Sequence, residues 1–139
     1  MKNTILWYDL ETFGLNPRYD RIAQAAAIRT DMDLNVIDQP LLLYSKLSPD
    51  YLPVPESCLV TGITPQLVNQ MGIKESEMID RLLSEMMKSG TITTGFNSIG
   101  LDDECIRPTL YRNLHDPYER DYSNGCSRWD IMNLVRATR

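Results

Sequence analysis

Apolar positions along the chain fall into short blocks, and the spacing within each block predicts an element. Ile5-Leu6-Trp7-Tyr8 is almost continuously apolar and β-prone, runs into Asp9, and is bounded downstream by Gly14 and Asn16-Pro17. Such a run predicts a buried central strand with acids at its carboxyl end. Ile22 to Thr30 and Asn35 to Tyr44 are two more apolar segments, parted by the turn-like Thr30-Asp31-Met32-Asp33, and they extend the prediction to three strands. The Ala25-Ala26-Ala27 run leaves helix open for the first of these. Ser48 to Pro55 is proline-rich and predicts a loop.

The period then lengthens. Thr64-Pro65 has the form of a helix cap followed by proline at the first helical position, with Gly72 placed to end that helix in a left-handed conformation. Met78, Ile79, Leu82, Leu83, Met86 and Met87 recur at helical spacing between Glu75 and Lys88, which complement the two ends of the helix dipole. This stripe predicts a core face. Thr91 to Phe96 predicts a strand and Leu101 to Leu114 a helix, with Pro108 expected to kink it at a cost of about 3 kcal/mol. Ser127-Arg128-Trp129-Asp130 opens a last amphipathic stretch, Ile131 to Ala137. Three strands followed by helix, strand and helix predict an α/β or α+β fold with a mixed sheet, in one domain over 1–139 that ends before it is complete.

Composition narrows the classes. The 139 residues carry 14 Lys+Arg and 19 Asp+Glu, a net charge of −5, with 42% hydrophobic residues, which excludes a disordered or coiled-coil chain. A negative protein lacks the cationic surplus that ordinarily binds phosphate backbones, so a nucleic-acid role requires metal ions or a further domain. Cys58, Cys105 and Cys126 are odd in number and form no Cys-x-x-Cys pair, as expected of reduced thiols in a cytoplasmic protein. No apolar run reaches membrane-spanning length.

Residues two apart on a strand share a face, so Asp9-Leu10-Glu11 predicts paired carboxylates within reach of one hard cation. A solvated strand end is the competing account. Asp102-Asp103-Glu104 opens a helix directly after a strand, where acids also serve simply to complement the dipole.

The wording around these acids carries more. Asp9-Leu10-Glu11-Thr12-Phe13-Gly14 resembles the first motif of the DEDD exonucleases, and Gly95-Phe96-Asn97-Ser98-Ile99-Gly100-Leu101-Asp102 resembles the second. Thr61-Gly62-Ile63-Thr64 is similar to the family's terminal-nucleotide loop, and Trp129 to Arg136 to its Asp-led helix. Tyr19-Asp20-Arg21, Ala26 to Asp31, Asp50 to Pro53, Tyr111-Arg112-Asn113, Asp116-Pro117-Tyr118 and Ser127 to Asp130 narrow the likeness to the family's exonuclease I branch.

This resemblance implies a ribonuclease H-like mixed sheet flanked by helices and 3′→5′ hydrolysis of single-stranded DNA. It implies Asp9, Glu11 and Asp102 as catalytic carboxylates ligating two Mg²⁺ ions, with Mn²⁺ as a substitute and Asp9 the shared ligand. Thr12, Phe13, Thr61, Gly62 and Ile63 would bind the terminal nucleotide, with core packing the rival role for Phe13 and Ile63. The implied partners are 3′ ends of single-stranded DNA and a single-stranded-DNA-binding protein, in a DNA-repair setting.

Departures accompany the matches. Ser98 and Leu101 stand where the family usually has Asn and Phe, and Pro108 lies behind Asp102. The family's late motif, a His base with an Asp five residues on, has no counterpart: the one histidine, His115, has Arg120 at that distance. Impaired activity and an exposed apolar sheet face are therefore expected of the 139 residues alone. The alternatives are a non-catalytic binding module and an RNA-directed member of the same family.

Overall fold

A computed structural model of the chain describes residues 2–138. Among these, five strands form one mixed sheet, β1 (Thr4–Thr12), β2 (Ile22–Thr30), β3 (Leu41–Tyr44), β4 (Thr91–Gly95) and β5 (Ser127–Asp130), in the order β3-β2-β1-β4-β5. β1 is central. It pairs antiparallel with β2 and parallel with β4, while β4 runs parallel to β5. Five helices connect them: α1 (Pro55–Thr61), α2 (Pro65–Met71), α3 (Glu75–Met86), α4 (Asp102–Arg112) and α5 (Ile131–Ala137). The α/β mixed sheet is as expected from the sequence.

One face of the sheet packs against α3 and α4, with Leu6, Tyr8, Leu10, Ala25, Ala27 and Leu43 meeting Met78, Ile79, Leu82, Met86, Ile106 and Leu110. The methionine stripe of α3 is thus core. Small alanines on β2 let the helices approach, and the period-two burial of Ala25, Ala27 and Arg29 settles Ile22–Thr30 as strand rather than helix. On the other face, Trp7, Asp9, Ile28, Leu42, Phe96 and Ile131 line a shallow apolar groove.

Several boundaries differ from expectation. The segment Asn35 to Tyr44 is strand over Leu41–Tyr44, because Pro40 has no N–H to donate; upstream, Val36 makes an isolated bridge to Thr30 and the Ile37 N–H donates to the Arg29 carbonyl. The proline-rich stretch ends by starting α1, with Pro55 at its first turn. Gly72 closes α2 with extended, not left-handed, dihedrals (φ −82°, ψ 157°). Its glycine is needed for proximity instead, since a Cβ there would stand 2.8 Å from the Lys46 backbone nitrogen. α4 continues from Asp102 to Arg112 as one helix with Pro108 inside it. β5 has little apolar pattern and is a strand because β4 pairs with it from Ile92↔Ser127 to Gly95↔Asp130.

Candidate active site

β1 delivers the first acids. Asp9 is exposed, Leu10 buried and Glu11 half-buried, so the two carboxylates project from one face while the leucine anchors the strand in the core. Pairing of β1 with β4 extends to Trp7↔Thr94 and goes no further, because β4 turns away after Gly95. Only glycine fits at that turn: a Cβ on Gly95 would lie 2.8 Å from the Tyr8 carbonyl oxygen. Beyond it the edge of β1 is open, and the Asp102 carboxylate, buried at the start of α4, accepts from the Leu10 N–H.

The three acids press on one another. Burial first, then the charges of Asp9, Asp103 and Glu11, push the Asp102 carboxyl up to about 7, against an opposing hydrogen bond from Leu10. Glu11 is also raised, by partial burial and by Asp9. Among the described residues no three acid, thiol or imidazole groups close into a ready metal cage. The fit to a divalent cation rests on the chemistry of the donors. They are hard oxygens whose mutual repulsion and burial a doubly positive ion would offset.

Glu11 and Asp102 line one cleft of about 320 Å³, together with Thr12, Thr61, Leu15 and Val60. Asp9 lines the adjoining groove on the open sheet face and so sits between the two. Thr12 donates to the Gly14 carbonyl at 2.7 Å, and Thr61 donates to the Ser57 carbonyl at 2.9 Å. Gly62 caps α1 in the left-handed region at φ 74°, its N–H reaching the Cys58 carbonyl, and shapes the cleft wall without lining it. Phe13 and Ile63 lie away from the cleft surface. Both are buried with Ala23, Tyr51 and Val68 in a second core cluster, because β1 and the loop after α1 pack there. His115 meets Asp80 on the surface, away from the acids.

Pattern reading missed part of this region. Asp20 is buried beside the cleft, accepting from the Tyr51 hydroxyl at 2.7 Å and the Asn16 N–H at 2.9 Å. Cys105 lines the cleft, but burial and then the charge of Asp102 push its thiol up to about 11, which disfavours a nucleophilic thiolate. Asp130 is buried and accepts from Asn97 (2.8 Å), Ile99 (3.3 Å) and Met132 (3.0 Å), capping α5 and holding the loop that leads to Asp102. Ser98, the departure noted above, is buried under that loop and donates to the Trp129 carbonyl at 3.3 Å. The sequence placed Asp130 at the head of this helix but gave no sign of its hold on the loop before Asp102.

A mixed α/β sheet with carboxylates from the central strand and an adjacent helix terminus defines a nuclease-type architecture. The chain belongs to the exonuclease family, RNase_T, which matches residues 6–139. Among curated relatives, the exodeoxyribonuclease I of Haemophilus influenzae is 51% identical over 130 residues, 94% of this chain and 28% of that protein. More distantly, the oligoribonuclease of Neisseria meningitidis is 38% identical over 61% of the chain and 48% of its own length. The solved exonuclease I of Methylocaldum szegediense superposes with a TM-score of 0.96 at 53% identity, over 99% of this chain and 29% of that one. The chain therefore spans under a third of the length of its exonuclease I relatives.

Proposed function

We propose that this chain carries an exonuclease I-type active-site region for 3′→5′ hydrolysis of single-stranded DNA. The observation that carries the reading is the convergence of Glu11 and Asp102 on one cleft with Asp9 at its margin, all three electrostatically coupled. Asp9, Glu11 and Asp102 would hold two Mg²⁺ ions, or Mn²⁺ in their place. When bound, such ions activate water and neutralise charge building at phosphorus. The protein's own contribution is to aim three carboxylates from two elements. Asp102 is held by the Leu10 N–H, and Thr12 and Thr61 offer polar groups to a nucleotide entering the cleft. DNA is favoured over RNA because the exodeoxyribonuclease likeness is both closer and more extensive than the oligoribonuclease one.

Similar solved structures include E. coli exonuclease I with a dA16 oligonucleotide and an ExoI/SSB-Ct complex. They support single-stranded DNA and the tail of a single-stranded-DNA-binding protein as partners in this reading. No helix among the described residues is long and apolar enough to cross a membrane. A cytoplasmic setting accords with three cysteines that remain free.

The test is shortening of 5′-labelled single-stranded DNA with Mg²⁺, with EDTA, and after Asp9→Asn. Laddering from the 3′ end that vanishes with EDTA and with the variant supports the reading. Unchanged laddering in either condition refutes it. DNA binding unchanged by Asp9→Ala would identify a binding module instead.

A further inference from the structure

Directly after Asp102 lies a second acid whose place no simple helix-dipole role explains. Asp103 is 1% exposed, yet its carboxylate takes three donors from three separate parts of the chain. The Tyr8 hydroxyl and the Arg120 Nη2 (2.6 Å) donate to Oδ1, and the Arg128 Nη1 donates to Oδ2 at 2.8 Å. Burial alone would raise this carboxyl, but the two guanidiniums and the phenol together hold it below the usual carboxylate range.

The sequence neighbours of these partners give the arrangement its meaning. Tyr8 precedes Asp9 on β1, Arg128 stands two residues before Asp130 on β5, and Asp103 follows Asp102 on α4. Arg128 is further braced by Asp121 at 3.3 Å, which also accepts from Arg107 on α4 at 3.0 Å. One buried carboxylate thus ties the strand carrying Asp9, the helix carrying Asp102 and the strand carrying Asp130. Asp9, Glu11 and Asp102 repel one another, so without such a tie the start of α4 is pushed away from the end of β1. A buried ion pair adds little net stability compared with apolar packing, which makes orientation the more informative role to test.

We propose that Asp103 is a positioning residue, which through Tyr8, Arg120 and Arg128 holds Asp9 and Asp102 at the separation that one divalent cation requires. This rests on the metal-site reading above. Loss of comparable outer contacts at metal sites weakens cation affinity by about 10- to 100-fold.

The test is a titration of Mn²⁺ into the full chain without DNA, read by calorimetry or by the Mn²⁺ electron-spin signal, beside a thermal melt. Tyr8→Phe is the main variant, because it removes one hydroxyl and leaves both ion pairs in place. Thr91→Val is its control. Thr91 accepts from buried Arg29 at 2.9 Å, so its loss also removes a buried hydrogen bond to a charged group, but at the far end of β1 and β4. The expected result is an Mn²⁺ dissociation constant raised about 10-fold in Tyr8→Phe and unchanged in Thr91→Val.

Asp103→Asn should weaken binding further. The Nε and Nη1 of Arg120 have no hydrogen-bond partner among the described residues, so this variant strands a buried charge. Should it fail to fold, Tyr8→Phe decides alone. Wild-type affinity in Tyr8→Phe, or an equal loss in Thr91→Val, overturns the proposal. Failure of the wild-type chain to bind Mn²⁺ overturns the metal-site reading itself, and the proposal with it.

Discussion

Asp102 offers a quantitative check on the site, because its carboxylate is both buried and crowded by like charges. Its folded value of about 7 against an ordinary 3.8 means that the native state binds the proton far more tightly than the unfolded chain. At about 1.36 kcal/mol for each factor of ten in proton affinity, the difference amounts to about 4 kcal/mol, of which relaxation and water penetration leave about 2 kcal/mol. Because the folded value is raised, the native state holds the extra proton between about 4 and 7, and stability falls as pH rises through that window.

Asp102→Asn keeps an oxygen for the Leu10 N–H and removes the charge. In EDTA, the variant should match wild type at about pH 4 and exceed it by about 2 kcal/mol at pH 8, or about 6 °C in melting temperature. Adding Mg²⁺ at pH 8 should close the gap by stabilising only the wild type. Thermal melts at the two pH values, with EDTA and with Mg²⁺, read this directly. An Asn variant less stable than wild type at pH 8 in EDTA would refute the claim that Asp102 is a strained, cation-seeking carboxylate.

Other perturbations probe the frame around the site. Gly14→Ala should destabilise by about 2 kcal/mol in denaturant titration, because its Cβ would overlap the Asp20 carboxylate that anchors Tyr51 and the Asn16 N–H. Asp130→Ala should cost about 2 to 3 kcal/mol by the same measure, since one substitution removes the α5 cap and two loop contacts. Glu75 is half-buried, which opposes its charge, but Arg112, Asn113 and Arg21 hold its carboxyl below the ordinary 4.5. Its stabilisation is therefore present above that pH and lost as pH falls through the lower folded value. Glu75→Gln should weaken the protein at pH 7 and flatten its acid-unfolding limb, followed by circular dichroism.

How much of this was legible in the chain depends on how local each cause is. β1 could be read because its apolar run is continuous and ends in acids, and α3 because its stripe keeps one period over 12 residues. β5 could not, because Ser-Arg-Trp-Asp has no strand pattern of its own and extends only alongside β4. The Gly72 conformation misled for a partly related reason: its glycine serves a close approach both to the Val68 carbonyl of its own helix and to Lys46, a residue distant in sequence.

By itself the sequence determined the kind of most elements, the exonuclease wording and the placing of Asp9 and Glu11 at a strand end and of Asp102 at a helix start. Spacing and residue type suffice for these, since periodicity two or 3.6 and the chemistry of a carboxylate are properties of a few neighbouring residues. Only the tertiary structure decided which residues the site exposes and which it buries. Thr12 and Thr61 stay on the cleft while Phe13 and Ile63 turn into the core, and Asp103 gathers Tyr8, Arg120 and Arg128 from positions up to 95 residues away. Burial and long-range hydrogen bonding depend on the packing of the whole sheet against its helices, and no local window of sequence contains that arrangement.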